Sequence, residues 1–278
     1  MVCTFNDSPT HNTSVEAFMS IRPAAVANLF YPGDPVVLHN DIQQYLAAVT
    51  PVNTTPKAII VPHAGYIYSG PVAAQAYAQL LPHSMQISRV ILLGPCHRVP
   101  VDGLAVPSVD YFATPLGNIP LDRAAIGEIL QLPQVHEFDL THKQEHSLEV
   151  QLPFLQETLN TFTIVPIVVG NASNASVQQV IDTLWGGDET LIVISSDLSH
   201  YHDYATAKTI DSATCRAIEN FDADSIHYED ACGRKPVVAL LGSARARNMH
   251  VTTLDLRNSG DTAGDKSRVV GYGAWMFA

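Results

Sequence analysis

Three short apolar runs along the chain are each followed, within a few positions, by a histidine. The runs at 58–61, 90–93 and 191–194 precede His63, His97 and His200, respectively. A continuous run of mostly β-branched residues that ends at Pro, Gly or Ser is typical of a strand buried on both faces. In open α/β sheets ligands bind beyond the carboxyl ends of the strands. The pattern therefore predicts that these imidazoles reach one edge of a parallel sheet, where they could converge on a metal or a substrate.

From residue 57 onward, strand-like and helix-like segments alternate. Strands are predicted at 57–62, 89–94, 103–107, 162–169, 190–196, 250–256 and 268–276, and helices at 71–81, 122–131, 147–159, 175–185, 204–220 and 236–247. This alternation predicts a single α/β domain with a largely parallel sheet between helices. Residues 1–20 are interpreted as a loose arm, 21–36 as an ordered loop, 21–278 as the domain, and the last strand as a possible antiparallel edge.

Composition narrows the function classes. The 278 residues are 46% hydrophobic and 15% charged, and the net charge is −12. Such an acidic chain gains nothing from counterion release on a phosphate backbone, so nucleic acid and anionic membranes are not expected partners. The start of the sequence is not signal-like, no apolar stretch approaches bilayer length, and the cysteines form no CxxC pair, so a cytoplasmic location is expected.

The loops after the first two strands carry the first candidates. His63 is followed by Gly65, and Pro71 fits the first turn of the next helix. Cys96 and His97 are adjacent, so on an extended backbone they point to opposite sides and one can be a ligand while the other packs. We favour His97 as the functional residue and Cys96 as a small packed side chain.

The third loop, Ser195 to His202, holds polar residues directly after an apolar strand. Asp197 could orient a histidine and raise its basicity, and His200 could act as an acid or a base near neutral pH. A purely structural alternative is that Asp197 caps the helix near residue 204, although capping would not explain His200.

Two further segments offer ligands. His142 and His146 are four residues apart, a spacing that can bind metal on a helix, but a pocket-facing His146 or Glu145 is the favoured interpretation. Cys232 lies just before a predicted helix and beside Arg234, a setting that lowers a thiol pKa, whereas the alternative is a buried thiol under a turn.

These segments together resemble the Memo-like family. The resemblance rests on the matching stretches at 22–27, 30–35, 62–66, 94–97, 145–153, 195–200, 232–234, 259–261 and 264–267. It implies a three-layer α/β/α domain with a mostly parallel or mixed central sheet, similar to class III extradiol ring-cleaving dioxygenases. It also implies metal coordination by His63, His97 and Cys232, where the dioxygenases have a carboxylate in place of the thiolate.

The resemblance further implies that His200 is the acid/base residue beside the metal, and we expect Asp197 nearby. His146, Tyr66 and Glu145 are our candidates for the wall of the substrate cleft. Fe(II) is the expected metal, Cu or Zn would also suit the ligands, and the site need not be filled in the cell. The favoured hypothesis is a non-haem iron oxidoreductase acting on a small molecule. The alternatives are a non-enzymatic protein that binds a peptide or metabolite in the same cleft, and a hydrolase with Cys232 as nucleophile; oligomerisation stays open.

Overall fold

The structure is a computed structural model that describes residues 19–52 and 54–278. Most of the predicted arm, residues 1–18, lies outside these ranges, and the division into arm and domain stays a prediction. At the start of the described chain, Ser20 donates hydrogen bonds to the Asp110 carboxylate from its backbone and its hydroxyl.

Strands and helices alternate through the described chain. The strands are β1 (Ile21–Arg22), β2 (Ala58–Val61), β3 (Arg89–Pro95), β4 (Leu104–Val106), β5 (Tyr111–Thr114), β6 (Gly117–Pro120), β7 (Val135–Glu137), β8 (Thr163–Val169), β9 (Thr190–Ser195), β10 (His200–His202), β11 (Val251–Asn258) and β12 (Val269–Phe277). The helices are α1 (Pro35–Ala47), α2 (Tyr66–Tyr77), α3 (Arg123–Ile129), α4 (Asp139–Lys143), α5 (Leu152–Thr158), α6 (Asn174–Thr183), α7 (Tyr204–Glu219), α8 (Arg234–Ala246) and α9 (Ser259–Thr262).

The larger sheet runs in the order β10-β12-β2-β9-β3-β8-β4-β7, and β11 also pairs with β12. The central strands β2, β9, β3 and β8 are mutually parallel, whereas β12 and β4 join the two sides of this group in antiparallel fashion. The sheet is therefore mixed, with helices on both sides, as expected for a single α/β domain. Strands β1, β5 and β6 form a small separate sheet.

The helices cover the sheet in two groups. Helices α1, α2 and α5 contact one another, and α2 packs on β2 and β12. Helix α8 packs on β3 and β9 and against α6. Strands β2 and β9 are buried along their whole length, and β3 and β8 are buried after their first residue, which accounts for their continuous apolar sequence. No helix among residues 19–52 and 54–278 is long and apolar enough to cross a bilayer.

Two sequence expectations about strands and helices are corrected. The last strand is antiparallel, but it is not at an edge, because β12 lies between β2 and the strands β10 and β11. Helix α2 begins at Tyr66, so Pro71 lies inside it and not in its first turn. The fully buried Tyr66 ring packs against Tyr31 and Phe154, and this burial outweighs the local proline signal.

The segment interpreted as a loop ends in a helix that the sequence analysis did not predict. Helix α1 begins at Pro35, and the Asp34 carboxylate caps it by accepting hydrogen bonds from the Val36 and Val37 amides. An aspartate followed by proline is a helix-start signal, so the sequence carried the information. The helix predicted from residue 147 instead begins as a 3-10 turn, Glu149–Gln151, before α5.

Candidate metal centre

Two of the strand-end histidines meet at the carboxyl edge of the sheet. Strand β9 separates β2, which ends two residues before His63, from β3, which ends two residues before His97. The two imidazole rings lie 5.3 Å apart between centroids in an edge-to-face arrangement. His63 is buried, whereas the His97 side chain is 29% exposed. The parallel strands thus bring together residues that are far apart in sequence.

The third imidazole of this group is His146, which follows α4. One ring nitrogen from each of His63, His97 and His146 lies within 4.8 Å of the others. The His146 ring stacks on His97 at 4.6 Å between centroids, and its Nδ1 is buried without a hydrogen-bond partner. Glu145 Oε1 lies 3.4 Å from this nitrogen without forming a hydrogen bond, and a metal ion shared with the two other imidazoles would satisfy the buried ring.

Glu145 fixes two of these rings from behind. Its buried carboxylate accepts hydrogen bonds from the backbone amides of His97, His146 and Ser147, and it lies 2.9 Å from His97 Nδ1. Burial alone would raise the pKa of Glu145, but the hydrogen bonds and charge of His97 together with the amides outweigh burial and lower it to about 2. An ionised Glu145 accepts the Nδ1 proton of His97, so the Nε2 of His97 carries the free lone pair.

A chain of hydrogen bonds under His63 begins in the core. The Tyr77 hydroxyl donates to Gln151 Oε1, which fixes the orientation of this buried amide. The Gln151 amide nitrogen then donates to the Pro62 carbonyl and to Ser195 Oγ, each at 2.9 Å. Ser195 Oγ is therefore an acceptor in its contact with Gln151.

The single proton of Ser195 settles the tautomer of His63. Ser195 Oγ donates to the Ser147 carbonyl at 2.6 Å and also lies 2.8 Å from His63 Nδ1. Because the hydroxyl proton is already used, His63 Nδ1 must be the donor to Ser195. Neutral His63 therefore carries its proton on Nδ1 and presents an unprotonated Nε2 to the cluster. Burial, followed by the charges of His97 and His146, lowers the pKa of His63 well below its ordinary value.

Cys232 lies on the open side of His63. Its Sγ is 3.3 Å from His63 Nε2, and because that nitrogen is unprotonated, the thiol is the donor. Two ligands of one ion, at about 2.1 Å for nitrogen and 2.3 Å for sulfur, are separated by this distance when their angle is slightly wider than a right angle. Cys232 thus lies at ligand distance from His63, although the group of donor atoms within 4.8 Å of one another comprises His63, His97 and His146 and does not include Cys232.

Backbone contacts hold Cys232 in this position. Its amide donates to the Asp197 carbonyl, and the Gly233 amide donates to Ser196 Oγ. A Cβ at position 233 would approach the Ser196 Cβ to 2.6 Å and the Ser195 carbonyl to 2.7 Å, so glycine is required for this close approach. These hydrogen bonds hold the loop before α8 against the residues that follow β9.

The expectation of a lowered pKa at Cys232 is wrong for the metal-free protein. Burial, together with the negative charge of Asp197, raises the pKa of the thiol. Arg234, whose Nε donates to the Ile226 carbonyl, does not outweigh burial and Asp197. A bound cation would reverse the balance, since a thiol that coordinates a metal is deprotonated.

Asp197 contacts His63, whereas His200 lies outside the imidazole cluster. Asp197 Oδ1 accepts the backbone amide of His63, and its Oδ2 is 4.0 Å from His63 Nε2, so it supports the backbone of His63 more than it orients the ring. Burial raises the pKa of Asp197. His200, half-buried in β10, lines the cleft outside the imidazole cluster.

An ion pair in the core holds His146 from the other side. Arg22 and Glu149 lie 2.6 Å apart and are both buried, and Arg22 also donates to the Glu145 carbonyl. Glu149 further accepts the Tyr31 hydroxyl, which anchors the loop that carries Phe30. The Phe30 ring packs on His146 at 4.6 Å between centroids. This network fixes the wall behind the third imidazole.

The cluster lies beside a cleft of about 770 Å³. Its lining includes His97, His200 and Cys232 together with residues from the ends of β3 and β8 and the start of α8. The volume falls within the range of small-molecule sites, roughly 300–1,000 Å³. The open side of the candidate centre thus faces a space that could admit a ligand.

The remaining sequence candidates lie in the core or at its margin. Tyr66, expected in the cleft wall, is buried, and its hydroxyl donates to the Val150 carbonyl. Cys96 Sγ donates to the Val99 carbonyl. His142 is buried, its Nε2 contacts the Ala105 carbonyl, and burial lowers its pKa to about 4. The sequence analysis missed Ser195, Gln151, Arg22 and Glu149 as supports, since single polar residues in apolar segments do not reveal their partners.

The comparison with known proteins agrees with the sequence resemblance. The sequence model of the family described as Memo-like protein matches residues 22–276. The chain belongs to the Memo-like family. A MEMO1 family protein of Aquifex aeolicus (strain VF5) is 36% identical over 272 residues, which cover 93% of this chain and 100% of that relative. Another from Ignicoccus hospitalis is 36% identical over 290 residues, with 93% and 99% coverage.

A solved structure resembles the fold of this Memo-like protein. It is described as the crystal structure of uncharacterized protein JW3007 from Escherichia coli K12, and it has a TM-score of 0.51. The match covers 80% of this chain and 100% of that chain at 10% sequence identity, so it supports the α/β fold alone. The expected likeness to class III extradiol dioxygenases stays a prediction.

Proposed function

We propose that this Memo-like protein binds a transition metal through His63, His97 and Cys232, with His146 as a further imidazole donor, and acts on a small molecule in the adjoining cleft. The observation that carries the proposal is the convergence of three imidazole nitrogens beside the cleft, with the Cys232 thiol 3.3 Å from the Nε2 of one of them, His63. Nitrogen and sulfur donors of this kind suit Fe(II), Cu and Zn, and Fe(II) is our first choice.

The role of the protein's own groups follows from their protonation. The Nε2 lone pairs of His63 and His97 are available without loss of a proton, because Ser195 and Glu145 hold the Nδ1 protons. Cys232 must release its proton to bind an ion, so metal binding should release about one proton per site. A redox-active ion would supply electron transfer to a substrate or to dioxygen.

His200 is proposed as the acid or base for a substrate in the cleft. It lines the cleft but is not a member of the imidazole cluster, so its nitrogens remain available when a metal is bound. The charge of His200 in turn favours the ionised form of the Asp197 carboxyl, against the effect of burial, which raises the Asp197 pKa. These residues would hold and move a proton while the ligands hold the ion.

A metal titration tests the proposed centre. Calorimetry and elemental analysis with Fe(II), Zn(II) and Cu are applied to His63→Ala, His97→Ala, His146→Ala and Cys232→Ser. Loss of His63, His97 or Cys232 is expected to weaken binding by more than the roughly 10–100-fold that loss of an outer-shell partner costs. The matched controls are His250→Ala, an exposed histidine, and Cys96→Ser.

The variants decide the ligand set. Metal affinity that is unchanged in His63→Ala and in His97→Ala would refute the site. If His146→Ala weakens metal binding as much as His63→Ala does, and Cys232→Ser does not weaken it, then the third ligand is His146 and not Cys232.

Oxygen consumption separates the enzyme from a binding protein. After anaerobic loading with Fe(II), oxygen uptake is measured with a broad panel of catechols and phenols. Oxygen uptake by the wild type that is lost in His200→Ala, while this variant keeps its metal, would support an oxidoreductase. Absence of uptake across the panel would favour a non-enzymatic protein that binds a metabolite or short peptide.

The hydrolase alternative is the weaker one. A cysteine nucleophile needs a thiolate or a base that takes its proton. The raised pKa of Cys232 and the low basicity of His63 both disfavour ionisation without a metal. A stable acyl adduct on Cys232 would nevertheless reverse this ranking.

A further inference from the structure

The cleft beside the candidate metal centre is lined by three basic side chains, Arg98, Arg234 and Lys235. The chain as a whole is strongly acidic, with 27 acidic and 15 basic residues. Several of its arginines form ion pairs elsewhere in the described structure. Within residues 19–52 and 54–278, no carboxylate lies within 4.0 Å of a charged nitrogen of these three side chains. Their positive charge is therefore not neutralised within the described structure.

The three side chains are anchored without being neutralised. Arg234 Nε donates to the Ile226 carbonyl, and Lys235 Nζ donates to the Gly170 carbonyl at 2.9 Å. These bonds to neutral carbonyls occupy one group of each side chain and leave the other donors of the guanidinium and ammonium free. Two acidic residues, Asp102 and Glu229, also line the cleft.

The position of two of these cations is electrostatically unfavourable in the free protein. Arg234 and Lys235 are the first two residues of α8, a helix of 13 residues whose first turn contains no acidic residue and whose N-cap has no side-chain hydrogen bond. The amino end of a helix carries partial positive charge and favours acidic neighbours. Basic side chains at this end add repulsion that an anion in the cleft would relieve.

We propose that the cleft binds a small organic anion whose carboxylate or phosphate group pairs with Arg98, Arg234 and Lys235. The inference rests on the proposed function in one respect, namely that the other end of the anion faces the metal centre. Arg98 directly follows His97, and Arg234 is two residues after Cys232. Both arginines line the same cleft as the candidate ligands His97 and Cys232, so the anion that they would bind lies in the space that the metal centre faces.

The dimensions and charge favour a small ligand over a macromolecule. A cleft of about 770 Å³ matches a drug-sized molecule. The net charge of −12 repels polyanions at long range, whereas a small anion experiences mainly the local cations once it enters the cleft. A neutral ligand of the same shape would gain nothing from these side chains.

Calorimetry on the metal-free protein tests the anion site. The probes are benzoate, phenyl phosphate and, as a neutral analogue, benzyl alcohol. The test variant is Arg98→Gln/Lys235→Gln. The matched control is Arg245→Gln/Lys208→Gln, which removes one arginine and one lysine that do not line this cleft and so changes the net charge equally.

Wild-type protein is expected to bind at least one of the anions at least tenfold more tightly than benzyl alcohol. The test variant should lose about tenfold or more of that affinity, since hydrogen bonds to charged groups are each worth about this factor. The control should stay within about twofold of wild type and share its salt dependence. The preference between benzoate and phenyl phosphate would identify the anionic group.

Three results would overturn the proposal. The first is that neither anion binds the wild type at millimolar concentration. The second is that the wild type binds benzyl alcohol as tightly as the anions. The third is that the test and control variants lose the same amount of anion affinity. Failure of the metal centre is a separate outcome, because these measurements use metal-free protein. Zn(II) titration of Arg98→Gln/Lys235→Gln is expected to match wild type even if anion binding is lost.

Discussion

The most direct test of the site concerns the proton on His63. Ser195→Ala removes the acceptor of the His63 Nδ1 proton and the hydroxyl that donates to the Ser147 carbonyl. It also leaves one N–H of Gln151 without an acceptor. Three buried polar groups thus lose a partner in a single substitution that deletes only one oxygen atom.

The size of the effect follows from these groups. Each buried unsatisfied donor or acceptor costs about 1–3 kcal/mol, and partial relaxation reduces the sum, so a loss of about 3 kcal/mol in the free energy of unfolding is expected. Metal affinity should fall about 10–100-fold, as for other outer-shell partners of a ligating histidine. The tautomer of His63 should shift towards protonated Nε2, which cannot bind an ion.

The assays separate stability from positioning. Urea denaturation gives the free energy of unfolding, calorimetry with Zn(II) gives metal affinity, and ¹⁵N NMR of the imidazoles gives the tautomer of His63. The matched control is Ser243→Ala, because the Ser243 hydroxyl is also fully buried but has no hydrogen-bond partner. This control should keep its metal affinity and lose little or no stability.

Two results would refute the reasoning. The first is a wild-type metal affinity in Ser195→Ala despite a loss of stability, which would make Ser195 a structural residue only. The second is an NMR spectrum of the wild-type protein in which neutral His63 carries its proton on Nε2. Restoration of both metal affinity and tautomer by Ser195→Thr would support the assignment.

Three further predictions concern stability. The pKa of Glu145 is lowered from 4.5 to about 2, so the ionised carboxylate contributes about 3 kcal/mol to the free energy of unfolding above pH 4.5, and this contribution is lost as the pH falls towards 2. Glu145→Gln should therefore remove the pH dependence of the urea denaturation midpoint over that range, and a variant with the wild-type pH profile would contradict this. Burial raises the pKa of Asp211 to about 6, so ionisation of this side chain destabilises the folded protein as the pH rises. In thermal denaturation, Asp211→Asn should increase the free energy of unfolding by about 1–3 kcal/mol at pH 8 and leave it unchanged at pH 4, and equal effects at both pH values would exclude a charge effect. Arg22→Met leaves the buried Glu149 charge without its partner and should cost about 3–5 kcal/mol in denaturant unfolding, and a cost below 1 kcal/mol would show that the pair is dispensable.

The sequence alone determined the central strands and the position of the site. Continuous apolar runs predicted β2, β3, β8 and β9 within a residue or two at each end, because strands buried on both faces have no alternative pattern. Placing His63 and His97 at one sheet edge followed from the same pattern.

Local signals were less reliable where packing competes with them. Pro71 indicated a helix start, but burial of Tyr66 moved the start of α2 five residues earlier. The Asp34-Pro35 pair lies in the segment predicted as a loop, yet it begins α1. In each case the sequence contains a valid signal, and the tertiary contacts decide which one prevails.

Only the tertiary structure decided the composition of the imidazole cluster and the protonation of its members. The run before His200 predicted a third strand-end imidazole, but residues 196–199 carry His200 away to β10, and the loop after α4 supplies His146. The proton on His63 depends on Tyr77, Gln151, Ser195 and Ser147, which no spacing rule connects. The thiol pKa of Cys232 is raised because burial and Asp197 act on it, and such effects depend on distances in space that the order of residues does not contain.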